Sequence, residues 1–152
     1  MTPLQTDLPG ILLRLTLAIF IGALVGLERQ LDHKPAGLRT HMLVSLGAAT
    51  FVLTGIQIGT VQDSSSSVSR IIQGITAGVG FLGAGEIINK VQQSGDVKVQ
   101  GLTSAAAIWV SASLGVAAGC GLWTIGLFGA IATFLILRVA KRLEEKIKSD
   151  RS

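Results

Sequence analysis

Two acids stand inside helix-like sequence: Glu28 near the end of the stretch 22–30, and Glu86 at the end of the stretch 78–86. A carboxylate taken out of water stays charged only beside a cation or several hydrogen-bond donors. Arg39 is the natural partner for Glu28, because the connection is short and a guanidinium can grip a carboxylate bidentately. Glu86 has Arg29, Lys90 and Arg39 as candidate partners. Structural ion pairs that fix hairpin geometry are the plainer reading. The alternative is a divalent cation held by the two carboxylates and water, for which two acids form a thin ligand set, so the metal stays unassigned. Thr40 in the stretch 36–41 and Thr103 in the stretch 100–104 complete the expected polar cluster of Glu28, Arg29, Arg39, Thr40, Glu86 and Thr103.

Other chemistry finds little support. His33 and His41 lack a neighbouring ligand set. Cys120, a lone cysteine, excludes an internal disulfide and a Cys-based zinc site. Gly78-x-Gly80-x-x-Gly83 matches the dinucleotide spacing, but within an apolar helix rather than between strand and helix. No Ser/His/Asp or Cys/His arrangement is indicated, so the chain reads as a non-enzyme without a cofactor.

The elements that must position these residues are unusually apolar. Of 152 residues, 49% are hydrophobic and only 14% charged, against about 25% charged in a soluble domain. Apolar blocks cover 10–27, 41–58, 71–88, 102–118 and 122–140, each close to the length that crosses ~30 Å of hydrocarbon. The expected fold is an all-α polytopic bundle of five transmembrane helices in lipid, over 1–140, followed by a basic tail, 141–152. The net charge of +4 does not point to nucleic acid, because the basic residues gather at the ends of apolar blocks. Residues 1–9 contain Asp7 and no basic residue, unlike a secretory signal.

Lys and Arg also set the orientation. Arg29, Lys34, Arg39, Lys90, Lys98 and the tail cations fall on one side, and only Arg14 and Arg70 on the other. The positive-inside rule then puts the N-terminus outside and the C-terminus in the cytoplasm. The segment 59–69, with its serine run, reads as a flexible linker, and 89–101 as a cytoplasmic loop. Trp123 suits an interfacial anchor and Trp109 a packing position. In the tail, Glu144 and Lys148 have helical i,i+4 spacing.

Nineteen glycines lie mostly inside the apolar blocks. Small residues let helix backbones approach closely in lipid, where packing drives association. Gly22 and Gly26, Gly74 and Gly78, and Gly115 and Gly119 make ridges at four-residue spacing, with Gly80 and Gly83 beside the second. A worn duplication is also legible, since Gly22-x-Leu24-x-x-x-Glu28 parallels Gly80-x-Leu82-x-x-x-Glu86. Coincidence explains that match about equally well.

Four motifs, Gly26-Leu-Glu-Arg-Gln30, Ala36-Gly-Leu-Arg-Thr-His41, Gly80-Phe-Leu-Gly-Ala-Gly85 and Gly101-Leu-Thr-Ser-Ala-Ala-Ala-Ile-Trp109, follow in order across most of the chain. In these the sequence resembles the MgtC/SapB family. The resemblance implies a multi-pass protein of the bacterial inner membrane, linked to growth in low magnesium and, in pathogens, to virulence. It implies action by binding other membrane proteins, such as the F-type ATP synthase or a P-type magnesium ATPase, or a homo-oligomer. Many relatives add a soluble C-terminal domain, and this chain is expected to be a short form without it. Glu86 stands where the family pattern leads one to expect an apolar residue, so no role is carried over to it. The expected function is a non-enzymatic membrane regulator; the alternative is a magnesium or cation transporter.

Overall fold

Asp7 opens the first helix by accepting a hydrogen bond from Gly10 N at 3.1 Å, with Pro9 in the first turn where its missing N–H is harmless. The computed structural model describes residues 7–58, 64–91 and 97–150. The chain runs α1 (Leu8–Leu31), α2 (Leu38–Ile58), α3 (Ser64–Glu86), β1 (Ile88–Val91), β2 (Val97–Gln100), α4 (Leu102–Gly119), α5 (Trp123–Leu135), a π-helical turn (Ile136–Ala140) and α6 (Lys141–Ser149).

Two expectations are corrected. Ser64–Ser67 belongs to α3 rather than to a linker, while 59–63 lies outside the described residues. The expected loop 89–101 contains an antiparallel hairpin, pairing Ile88 with Gln100 and Val91 with Val97. The alternation Val97-Lys98-Val99 carries a two-residue strand period that hydropathy blocks overlook.

Among the described residues, four helical stretches are long and apolar enough to cross a membrane: Leu8–Leu31, Leu38–Ile58, Leu102–Gly119 and Trp123–Glu144. The last runs unbroken through the π turn. Helix α3, over the fifth expected span, has the length but is diluted by its serines, Arg70, Gln73, Thr76 and glycines.

Helices α2 and α4 form the centre, and α1 and α3 each pack against both. The matched positions of the two hairpins are not equivalent, since Gly22 packs on the α2 backbone while Gly80 faces open space. Glycine sets the close approaches. A Cβ on Gly22 would lie 2.8 Å from the Met42 Cα, and one on Gly26 2.8 Å from the Leu38 Cα, bringing α1 antiparallel onto α2. A Cβ on Gly119 would lie 3.0 Å from the Ala49 Cα, and one on Gly115 would overlap the Ser45 backbone, bringing α4 parallel onto α2. The core between them is accordingly fine-grained: Ala18, Val25, Ala49 and Ala118 are buried. In α3, Val79 and Gly83 are buried among the described side chains.

Arg14, inside α1, is satisfied at the opposite end of α4 from the polar motifs. It donates to the Gly119 carbonyl at 2.9 Å, capping a helix C-terminus whose carbonyls attract cations. Gly121 makes the corner there with φ of 76°. Burial pushes the Cys120 thiol up, and in this turn it serves as a small, protonated packing residue. Trp123 begins α5, 41% exposed, whereas Trp109 is 46% exposed and lines a shallow cavity against Thr76 and Val79 of α3 instead of sitting in the core.

Gly115→Val should lower the thermal midpoint in detergent sharply, since overpacking costs about 1–3 kcal/mol or more where backbone is the obstacle. Gly47→Val, at a helical position with open space beside it, should cost much less. Equal losses would show that helix propensity, not the α2–α4 approach, sets the effect.

Candidate functional site

The motif-bearing ends of α1, α2 and α4 meet in one buried polar seam. Glu28 is 1% exposed and Arg29 3%. Neighbouring residues point about 100° apart on a helix, and both bury because α1 is covered by α4 on one side and by the last helix on another. An Arg29 terminal nitrogen lies 3.4 Å from Glu28 Oε2, and the other donates to Ser104 Oγ at 3.3 Å. The partner of Glu28 is therefore Arg29, not Arg39. Arg39 is exposed, because it precedes the buried His41 by two residues, roughly 200° around α2.

Gln30 closes the α1–α2 turn. Its side-chain oxygen accepts from Leu38 N, the first amide of α2, at 3.4 Å, and packs on Gly37 where a Cβ would overlap it. His33 takes a left-handed φ of 52° in this turn. His41 is fully buried, with Nδ1 2.8 Å from the Gly37 carbonyl. One turn on, Ser45 donates to the Ala18 carbonyl at 2.8 Å. Three atoms in this region are buried without a hydrogen-bond partner among the described residues: Arg29 Nε, His41 Nε2 and Ser111 Oγ.

At the charged end of the bundle, Glu28, Asp32, Arg138, Lys141 and Arg142 line a cavity of about 160 Å³. Lys141 Nζ donates to Asp32 Oδ1 at 2.7 Å and, with its charge, holds the Asp32 carboxyl below its ordinary value. The other Asp32 oxygen, Oδ2, is buried and unpartnered. This contact ties the end of α1 to the start of α6.

Glu86 is half-buried in a different cavity of about 340 Å³, with Thr40, Pro35 and Phe81. The structure therefore does not bring Glu28 and Glu86 into one ligand set. No cation lies within ion-pair distance of Glu86 among the described side chains; that of Lys90 lies outside them, as does that of Lys148. No group of three or more His, Cys, Asp or Glu converges among the described residues. Thr103 is exposed, and its neighbour Ser104 takes the buried position. Sequence reasoning quoted Gln30 and Ser104 within its motifs without giving them a role, passed over Ser111 and the Asp32–Lys141 contact, and set His41 aside as a metal ligand. The four-residue spacing of His41 and Ser45, and the seven-residue spacing of Ser104 and Ser111, were the available signals.

Of the glycines, Gly22, Gly26, Gly115 and Gly119 pack within the chain, and Gly83 would touch Ala105 at 3.6 Å. Positions 74, 78 and 80 face open space instead. Gly74 and Gly78 join Gly47, Phe51, Ile75 and Leu82 along a groove of about 600 Å³ between α2 and α3.

The MgtC family model matches residues 15–146. The chain is 48% identical over 147 residues to Protein SrpB of Synechococcus elongatus, covering 92% of this chain and 80% of that one. It is 37% identical over 136 residues to the Putative magnesium transporter YhiD of Escherichia coli, covering 87% and 61%. It is 42% identical over 122 residues to Protein MgtC of Brucella abortus, covering 80% and 46%. The chain thus spans less than two thirds of the latter two relatives. No solved structure matches it.

Glu28→Ala leaves the Arg29 charge buried without its carboxylate and should cost about 3–5 kcal/mol, read as thermal stability in detergent. Replacing both residues by leucine should recover part of that loss; simple additivity would show no coupling between them. The Asp32–Lys141 pair is partly solvated, Lys141 being 43% exposed, so it should contribute no more than about 1 kcal/mol. Because the Asp32 carboxyl is depressed when folded, this contribution is complete above its unfolded value of 3.8 and disappears as pH falls through the lower folded value. Melts at pH 7 and pH 2.5 should differ less in Asp32→Asn than in the parent chain.

Proposed function

The chain belongs to the MgtC family, and from that premise we propose a non-enzymatic regulator that binds other membrane proteins, or itself, during adaptation to low magnesium. It resides in the bacterial inner membrane with five crossings. Helix α3 makes the fifth, and its exposed small and polar residues are the ones a bound partner would cover. The N-terminus is outside, and the cation-rich ends of the helices lie in the cytoplasm, as the positive-inside rule directs.

The observation that supports this reading best is the α2–α3 groove. Its lining is apolar, and Gly47, Gly74 and Gly78 leave open space where side chains would stand. Small-residue faces of this kind admit a second helix at close range in lipid. The polar residues Gln73 and Thr76 are exposed on the same helix, and polar groups at membrane depth favour protein over lipid. Arg29 of α1 is bonded to Ser104 of α4 inside the bundle, which suits a scaffold.

The second reading, a magnesium or cation transporter, is favoured by the printed name of the Escherichia coli relative. Against it stands the separation of Glu28 and Glu86 into different cavities.

Gly78→Leu and Gly74→Leu should abolish self-association or partner capture in detergent pull-downs while leaving the melt of the isolated chain nearly unchanged. Association retained in both variants counts against the regulator. Magnesium flux into reconstituted vesicles that is lost in Glu28→Gln would favour transport instead. Reporter fusions after residue 61 should be active outside the cell and those after residue 150 inside; the reverse pattern rejects the orientation.

A further inference from the structure

We propose that the seam between α2 and α4 is a binding site for ordered water, which bridges His41 to Ser111 inside the bundle. Contacts along the two helices fix their register. Gly115 meets Ser45 and Gly119 meets Ala49, a constant offset along parallel helices. One turn earlier the same offset places Ser111 opposite His41. Both residues are fully buried, and both have an atom without a partner, His41 Nε2 and Ser111 Oγ.

Partner chemistry selects the ligand. A carbonyl only accepts hydrogen bonds, so the 2.8 Å contact with Gly37 makes His41 Nδ1 the donor. In the neutral ring Nε2 is then an acceptor. Ser111 Oγ can donate or accept, and the buried Arg29 Nε–H, on the α1 face that also carries Gly22 and Gly26, can only donate. Glu28 balances the Arg29 charge, a bare cation would find only His41 Nε2 and Ser111 Oγ as free acceptors, and an anion is opposed by the Nε2 lone pair. Water donates to Nε2 while accepting from a hydroxyl or guanidinium, which suits this mixed set. Buried waters make about three hydrogen bonds, to groups of this kind. Orphaned polar atoms in hydrocarbon are too costly to leave, and clustered orphans point to a shared bridging molecule.

Glu28 lines the cavity it shares with Asp32, Arg138, Lys141 and Arg142, and it contacts Arg29, which bonds Ser104, about two turns before Ser111 on the same face of α4. Polar contacts thus continue from that cavity into the bundle as far as Ser104. The proposal is independent of whether the groove binds a partner or the chain moves ions.

Pulsed radiolytic hydroxyl-radical labelling in H₂¹⁸O tests the full chain in lipid vesicles, because bound water supports labelling of otherwise buried side chains. After correction for intrinsic reactivity, His41 should label several-fold faster than Ile56, which is equally buried on the same helix, and should carry ¹⁸O. Ser111→Ala should reduce His41 labelling several-fold. In detergent, the melting shifts of Ser111→Ala and His41→Phe should be less than additive in the double variant. Labelling no faster than at Ile56 overturns the proposal, as does labelling unmoved by Ser111→Ala. Coupled melting shifts with a dry His41 would mean a direct hydroxyl–imidazole bond, and would overturn it too. Should His41→Phe fail to fold, the labelling of the parent chain and of Ser111→Ala decides the matter.

Discussion

The backbone of α2 is gripped from two sides, by Gly22 and Gly26 of α1 and by Gly115 and Gly119 of α4. Association in lipid gains little from hiding apolar surface, because lipid is as apolar as the protein interior. It relies on the number of close atomic contacts and on polar groups finding one another. Four glycines supply the contacts. They also draw α1, α2 and α4 so near that His41, Ser45 and Ser111 are sealed between backbones. The polar seam is thus a product of the glycine packing. A bulkier residue at any of the four would part the helices along this seam.

That pair is unusual in joining adjacent residues. Glu28 and Arg29 cannot point the same way from one helix, so the arginine turns back toward its neighbour and reaches Ser104 with its other nitrogen. Such a contact fixes the rotation of α1 about its axis and its height against α4. An ion pair across the turn to α2 would have fixed the hairpin instead. Gln30 performs that second task without charge, capping α2 from the end of α1. Three consecutive residues of one motif therefore hold two separate interfaces.

The glycine ridges at 22/26 and 115/119 were legible because their spacing is helical and their reason, close approach in lipid, is local. The helical class was legible from block length. The Glu28 partner was not, since a residue two positions before the buried face looks as near in sequence as one that reaches the site. Serines 104 and 111 were obscured by how ordinary serine is; only the offset between α2 and α4 gives them meaning, and that offset is a tertiary quantity. The α3 boundary was misread because a serine run looks like a linker when no packing surface is in view. The hairpin was hidden by its length, four residues per strand.

The π turn at Ile136–Ala140 divides the last helix into two parts with different angular phase. A wide turn inserts the equivalent of one residue, and one residue amounts to about 100° of rotation. Side chains before it follow the face α5 presents to α1 and α4; those after it are rotated, and Lys141 reaches Asp32. Straightening this segment into regular α-helix would swing the lysine away from the end of α1. The bulge works as a splice between two helical readings, letting one continuous rod face oil along most of its length and a carboxylate at its tip.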